Sequence, residues 1–69
     1  MFEEFKEEFM GNAEDSGVDN EQAWEDLLEY INNNEEIPFE ECSWMPEGMR
    51  DRLESKGWSF DGGDGIPPD

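Results

Sequence analysis

Twenty-one carboxylates, four cationic side chains and no histidine put a formal charge of −17 on this 69-residue chain. A chain so charged folds only if its acids stay in water while its apolar residues gather on one side of each element. High net charge with low hydropathy is otherwise the mark of disorder. The counterweight is aromatic: three tryptophans, five phenylalanines and a tyrosine, each able to bury a large area. The expectation is a folded aromatic core under an anionic coat.

Length leaves room for one small domain, since a chain near 60 residues buries only about 60% of the surface it exposes when unfolded. A single cysteine, Cys42, excludes an internal disulfide and favours a reducing compartment. A bridge to another chain through Cys42 is left open. The opening MFEEFKEEF lacks the basic-then-apolar order of a secretory signal, and no run of about 18 apolar residues occurs. A soluble, unprocessed, cytoplasmic protein away from membranes is therefore expected.

Phe2, Phe5 and Phe9, extended by Met10 and Ala13, recur at spacings of three and four, the period of an amphipathic helix. Glu3, Glu4, Glu7 and Glu8 fall between them. At about 100° per residue these four acids form one arc opposite the phenylalanines, so a helix over about residues 2–14 has an aromatic face and an anionic one. Gly11 weakens it, so two ends are open: at Gly11, or at about Asp15 before the Ser16-Gly17 turn. A second helix, over about residues 20–33, is signalled more strongly. Asp19 is its N-cap, Gln22 the third-position partner of a capping box, and Val18 a staple onto Ala23. Ala23, Trp24, Leu27, Leu28, Tyr30 and Ile31 form its apolar stripe. Glu21, Glu25 and Glu29 stand four apart on the other side with Asp26 beside them, a like-charge row that costs a few tenths of a kcal/mol per pair. Asn32, Asn33 and Asn34 then tolerate the left-handed turn that stops a helix.

Pro38 pushes Ile37 to an extended conformation, so residues 35–45 read as a connector held by Phe39 and Trp44 around Glu40 and Glu41. A third helix is expected over about residues 46–56, with Pro46 in its first turn, Met49 and Leu53 inward, Gly57 just past its end and Trp58 folding back over the last turn. Residues 59–69 have turn composition and no periodicity. They read as an irregular acidic tail ordered where Trp58 and Phe60 dock. The fold class expected is all-α: a small three-helix domain over residues 1–58 with an aromatic core, acidic outer faces and an irregular Gly/Pro/Asp C-terminal tail.

The charge is unevenly placed. Residues 1–42 carry fifteen acids and one lysine, a balance of −14, and residues 43–69 carry six acids and three bases, a balance of −3. Arg50, Arg52 and Lys56 share the third predicted helix, where Arg50 has Glu54 and Glu47 within i+4 and i−3 reach. These bases are expected to neutralise local acids or clamp that helix against the acidic ones. The alternative is a small basic patch used by a partner.

Catalysis finds little support. There is no histidine to act as a base near neutral pH, no Cys-His or Ser-His pairing and no glycine-rich phosphate loop. Glu40 and Glu41 could act as acid and base only in a concave, desolvated site, which a helical chain of this size is not expected to form. Asp61 to Gly65 has calcium-friendly residue types but lacks the alternating ligands and distal glutamate of an EF-hand loop. No catalytic residue, metal or cofactor is assigned.

The expected activity is binding. A compact 69-residue chain has a radius of gyration near 11 Å, and duplex DNA carries one charge per about 1.7 Å of axis. A scaffold about 28 Å across with 17 excess charges therefore approaches duplex charge density. In composition and size, though in no shared motif, the chain resembles phage-encoded DNA mimics that block restriction enzymes, CRISPR effectors or polymerases. That likeness implies a phage origin, a host-cytoplasm location and a basic, nucleic-acid-binding protein as partner, with no nucleic acid bound directly. The contact surface would be Glu3, Glu4, Glu7, Glu8, Glu21, Glu25, Asp26 and Glu29. Two alternatives remain: a helical adaptor binding a protein through an apolar patch of Phe39, Trp44 and Met45, and a homo-oligomeric structural component. The second must overcome 17 like charges per chain, so a monomer is expected.

Overall fold

The computed structural model describes residues 2–68, apart from the Asp61 side chain. Met1, Asp69 and the Asp61 part of the calcium-type reading lie outside the described residues. The fold is all-α, as expected, with four α-helices among the described residues: α1 (Lys6–Asp15), α2 (Asn20–Asn32), α3 (Phe39–Trp44) and α4 (Glu47–Ser55). A 3-10 turn, Glu3–Phe5, leads into α1, so the first helix is α-helical from Lys6 rather than from residue 2.

The three longer helices end in the same way. In each, the residue after the C-cap takes a left-handed φ: +83° at Gly17, +58° at Asn34 and +105° at Gly57. The two backbone N–H groups that follow the C-cap turn back onto the last helical turn: Gly17 to Glu14 and Val18 to Ala13, Asn34 to Ile31 and Glu35 to Tyr30, Gly57 to Glu54 and Trp58 to Leu53. These are Schellman motifs, which satisfy carbonyls that would otherwise lack a partner. Asp19 caps α2 as expected, accepting from the Glu21 and Gln22 N–H groups at 3.1 and 3.2 Å. The Gln22 amide turns forward, donating to Asp26 at 3.0 Å, rather than back to the cap.

The segment expected to be a connector contains a helix. Pro38 and Pro46 precede α3 and α4 with φ near −60° and ψ near +150°, and their carbonyls accept the first helical bonds, from Cys42 and from Arg50, both at 3.1 Å. Both prolines are N-cap residues, so Pro46 stands one position before the first turn expected for it; the ring presets φ near −60° and brings no N–H that would need a partner. Pro46 also holds Met45 extended, at φ −69° and ψ +133°, and so stops α3 after six residues. Glu40 and Glu41 in the first turn of α3 suit the helix dipole.

The core is aromatic and aliphatic. Phe2, Phe9, Leu27, Ile37, Cys42, Met49 and Leu53 are fully enclosed. The Phe9 ring lies 5.6 Å from Trp24 and 6.1 Å from Trp44, tilted in both cases, an arrangement favoured by the ring quadrupoles. The tail goes beyond docking through Trp58 and Phe60. Ile37 and Gly65 exchange two backbone hydrogen bonds of 2.8 and 2.9 Å, and Ser59 and Ile66 two of 3.0 and 2.7 Å. Asn34 donates through its side chain to the Pro68 carbonyl at 2.8 Å. The Gly57 backbone comes so close to the tail that a Cβ there would stand 2.8 Å from Pro68 Cβ. No helix among the described residues is long and apolar enough to cross a membrane.

Candidate functional site: an acidic face and a groove beside it

Of the eight acids named from sequence, Glu3, Glu4, Glu7, Glu8, Glu21, Glu25 and Glu29 are exposed. They ride on α1, its 3-10 lead-in and α2, because Phe2, Phe9, Ala13, Trp24 and Leu27 take the inner sides of the same elements. Lys6 of α1 lines a depression with Glu21, Trp24 and Glu25 of α2, so one cation of α1 stands beside two of the α2 acids.

The bases of α4 are used differently from the local pairing expected for Arg50. Arg52 reaches out of α4 to form an ion pair with Glu4 and lies 5.0 Å over the Phe5 ring. This is the clamp between α4 and the acidic N-terminus. Arg50 passes over Glu47 and Glu54, donating instead to the Cys42 carbonyl at 2.8 Å and lying 5.5 Å over the Phe60 ring.

The apolar patch expected from Phe39, Trp44 and Met45 is not a single surface. Met45 is buried, Trp44 is half-buried and Phe39 is 60% exposed. Trp44 is drawn inward by α3, packing on Phe9 while its indole N–H donates to Ser16 Oγ at 3.0 Å. Its carbonyl accepts from Asn12 at 2.9 Å, so the tryptophan joins α3 to α1. The Phe39 ring closes over the Gly63 backbone. Cys42, free and buried, has its thiol pushed up to about 11, by burial above all, and is a poor nucleophile as well as a poor site for a bridge between chains.

Asp26 departs from the outward row. It is half-buried and lines a groove of about 310 Å³ with Val18, Asp19, Gln22, Ala23, Pro38, Glu40, Glu41 and Trp44. Here the structure overturns the expectation that no concave, desolvated carboxylate site would form. Glu41 is only 9% exposed, and its Oε1 is shut from solvent with no hydrogen-bond partner among the described residues. Burial first, then the negative charges of Asp26 and Glu40, push its carboxyl from 4.5 up to about 7. Sequence reasoning placed Glu41 in an acidic pair within a connector and expected no desolvated site around it. The missed signal is that, once residues 39–44 are helical, Glu41 precedes Trp44 by three positions and so shares its side of α3.

Among the described residues no group of three or more His, Cys, Asp or Glu side chains is placed to hold a metal ion. Compared with known proteins, the chain matches no family model, and no curated protein or solved structure is significantly similar to it.

Proposed function

We propose that this chain is a binding protein that presents a DNA-like anionic surface to a basic, nucleic-acid-binding protein and competes with nucleic acid for it. The observation that carries this reading is the outward placement of seven carboxylates, one of them (Glu4) paired with Arg52, over α1, its 3-10 lead-in and α2 on a body 32 Å long. Duplex DNA of that length holds about 19 charges, against the 17 excess charges of the whole chain. The packed core supports the reading further, since helices joined through Phe9, Trp24 and Trp44 hold the charges in fixed relative positions, as a duplex does. Rigid presentation limits the ordering cost that a disordered acidic chain meets on binding. Binding, not catalysis, is the activity proposed, with no cofactor.

Affinity capture from lysate of the source cells, with and without added duplex DNA, tests the reading. A basic nucleic-acid-binding protein should be retained at low salt, displaced by duplex, and lost steeply as salt rises. Replacing Glu21, Glu25 and Glu29 together by glutamine should weaken that capture at low salt and flatten its salt dependence. Retention that ignores duplex and salt would sink the proposal.

A further inference from the structure

The groove between α2 and α3 has a composition that selects its occupant. Its floor and sides offer Ala23, Pro38, Val18 and the half-buried Trp44, while Asp19, Asp26, Glu40 and Glu41 contribute carboxyls. Two of these carboxyls already have donors: Asp19 caps α2, and Asp26 accepts from Gln22. Of the other two, Glu40 is exposed to water, whereas Glu41 is buried to nine-tenths with Oε1 unpartnered among the described residues. A buried carboxyl without a donor loses the hydrogen bonds it had in water, and an arriving donor can restore them. Arg50, the cation on the neighbouring α4, directs its guanidinium to the Cys42 carbonyl and the Phe60 ring.

We propose that this groove receives one arginine side chain of the basic partner, its aliphatic stem against Ala23, Pro38 and Trp44 and its guanidinium against the carboxyls of Glu41 and Asp26. This rests on the proposed function for the identity of the partner, and on the groove for the chemistry. At about 310 Å³ the space lies at the lower end of ligand-site volumes, suited to a single side chain. Arginine fits better than lysine because its guanidinium is planar, more weakly hydrated, stacks on aromatic rings and carries five donors in a fork that matches carboxylates. The anionic face supplies long-range attraction, and the groove supplies a short-range contact that fixes register.

Occupation draws the proton off Glu41, whose carboxyl stands at about 7 in the free protein. The groups facing it are Asp26 and Tyr30 of α2, Asp19 before α2 and Glu40 on α3 itself, all anionic or neutral. The proton is therefore released to solvent on binding. Affinity should fall towards tenfold for each pH unit below about 7.

The test uses the whole chain and N-acetyl-arginine amide as probe, with the uncharged citrulline analogue as control. It is read by NMR at the Trp44 indole N–H and the Glu41 side-chain carboxyl. The arginine probe should shift the Trp44 signal and lower the Glu41 titration midpoint, and the citrulline probe should do neither. E41Q, which removes a buried charge and keeps the side-chain shape, should weaken the probe at least tenfold, and D26N severalfold. Equal binding by the wild type and E41Q, or a Glu41 midpoint unmoved by saturating probe, overturns the proposal. No partner protein is present in this assay, so its failure leaves the acidic-face reading intact, and failure of the capture experiment leaves this result standing.

Discussion

Replacing Glu41 by glutamine should stabilise the protein, by an amount that depends on pH in a defined way. The Glu41 carboxyl titrates at about 7 in the folded state and near 4.5 when unfolded, so the folded chain holds its proton more tightly. A raised folded value means the carboxyl is compatible with folding below about 4.5, and its ionisation opposes folding progressively as pH climbs to 7. A shift of about 2.5 units at 1.36 kcal/mol each gives a cost of about 3 kcal/mol once both states are ionised. Glutamine cannot ionise and so avoids it. The stability of E41Q minus that of the wild type should be close to zero at about pH 4, about 2 kcal/mol at pH 6 and about 3 kcal/mol at pH 8. Domains of this size have only about 5–10 kcal/mol in all, so the effect is large.

The assay is urea unfolding followed by the fluorescence of Trp24, Trp44 and Trp58 across that pH range. General repulsion among 21 acids also lowers stability as pH rises, and E25Q, altering an exposed residue on α2, measures that background. A difference between E41Q and the wild type that is constant across the range, or no larger than that given by E25Q, would refute the assignment of a desolvated carboxyl in the groove.

Three further perturbations probe the fold that carries the acidic face. Leu53→Ala removes a fully enclosed side chain of α4 and should cost about 2–5 kcal/mol, a large share of the total, which urea unfolding followed by circular dichroism would report as a lower midpoint. Arg52→Ala loses both the Glu4 ion pair and the contact over Phe5; the expected loss is about 1 kcal/mol by urea unfolding, shrinking in high salt only by the ion-pair share. Gly57→Ala forces a Cβ into a left-handed backbone and to within 2.8 Å of Pro68 Cβ; it should cost at least about 1 kcal/mol and speed amide exchange at Gly65 and Ile66.

The charge of the chain and its fold act on one another. Glu21, Glu25 and Glu29 repel at i, i+4 spacing without compensating cations in the row, so α2 depends on its inner stripe. The buried Ala23, Trp24 and Leu27 and the Asp19 cap supply what local sequence withholds, in keeping with helices whose stability is mainly tertiary. Arg52 draws on the acidic surface in a similar way, giving α4 a hold on the chain's N-terminus through Glu4.

Helix periodicity made α1 and α2 legible, and α4 was read from Pro46, Gly57 and one inward pair four apart, Met49 and Leu53. Local backbone chemistry did the same for the ends: Gly17 and Gly57 take left-handed positions, Asn34 does so out of the three asparagines that sequence offers, and Asp19 caps α2. The segregation of aromatic from acidic residues likewise placed Glu3, Glu4, Glu7, Glu8, Glu21, Glu25 and Glu29 outside. All of these depend on neighbours within about four positions. Helix α3 was not legible, because six residues between two prolines are too few to establish a period. The consequences of α3 stayed hidden with it. It turns Trp44 onto Phe9, buries Met45 and brings Glu41 across from Asp26, fifteen positions away, to form the groove. Ile37 meeting Gly65, and Arg52 meeting Glu4 from 48 positions away, belong to the same class. Sequence by itself determined an acidic coat on amphipathic helices, because that sorting is local. Tertiary structure alone decided which acid lost its water, because burial is a property of what packs over a residue.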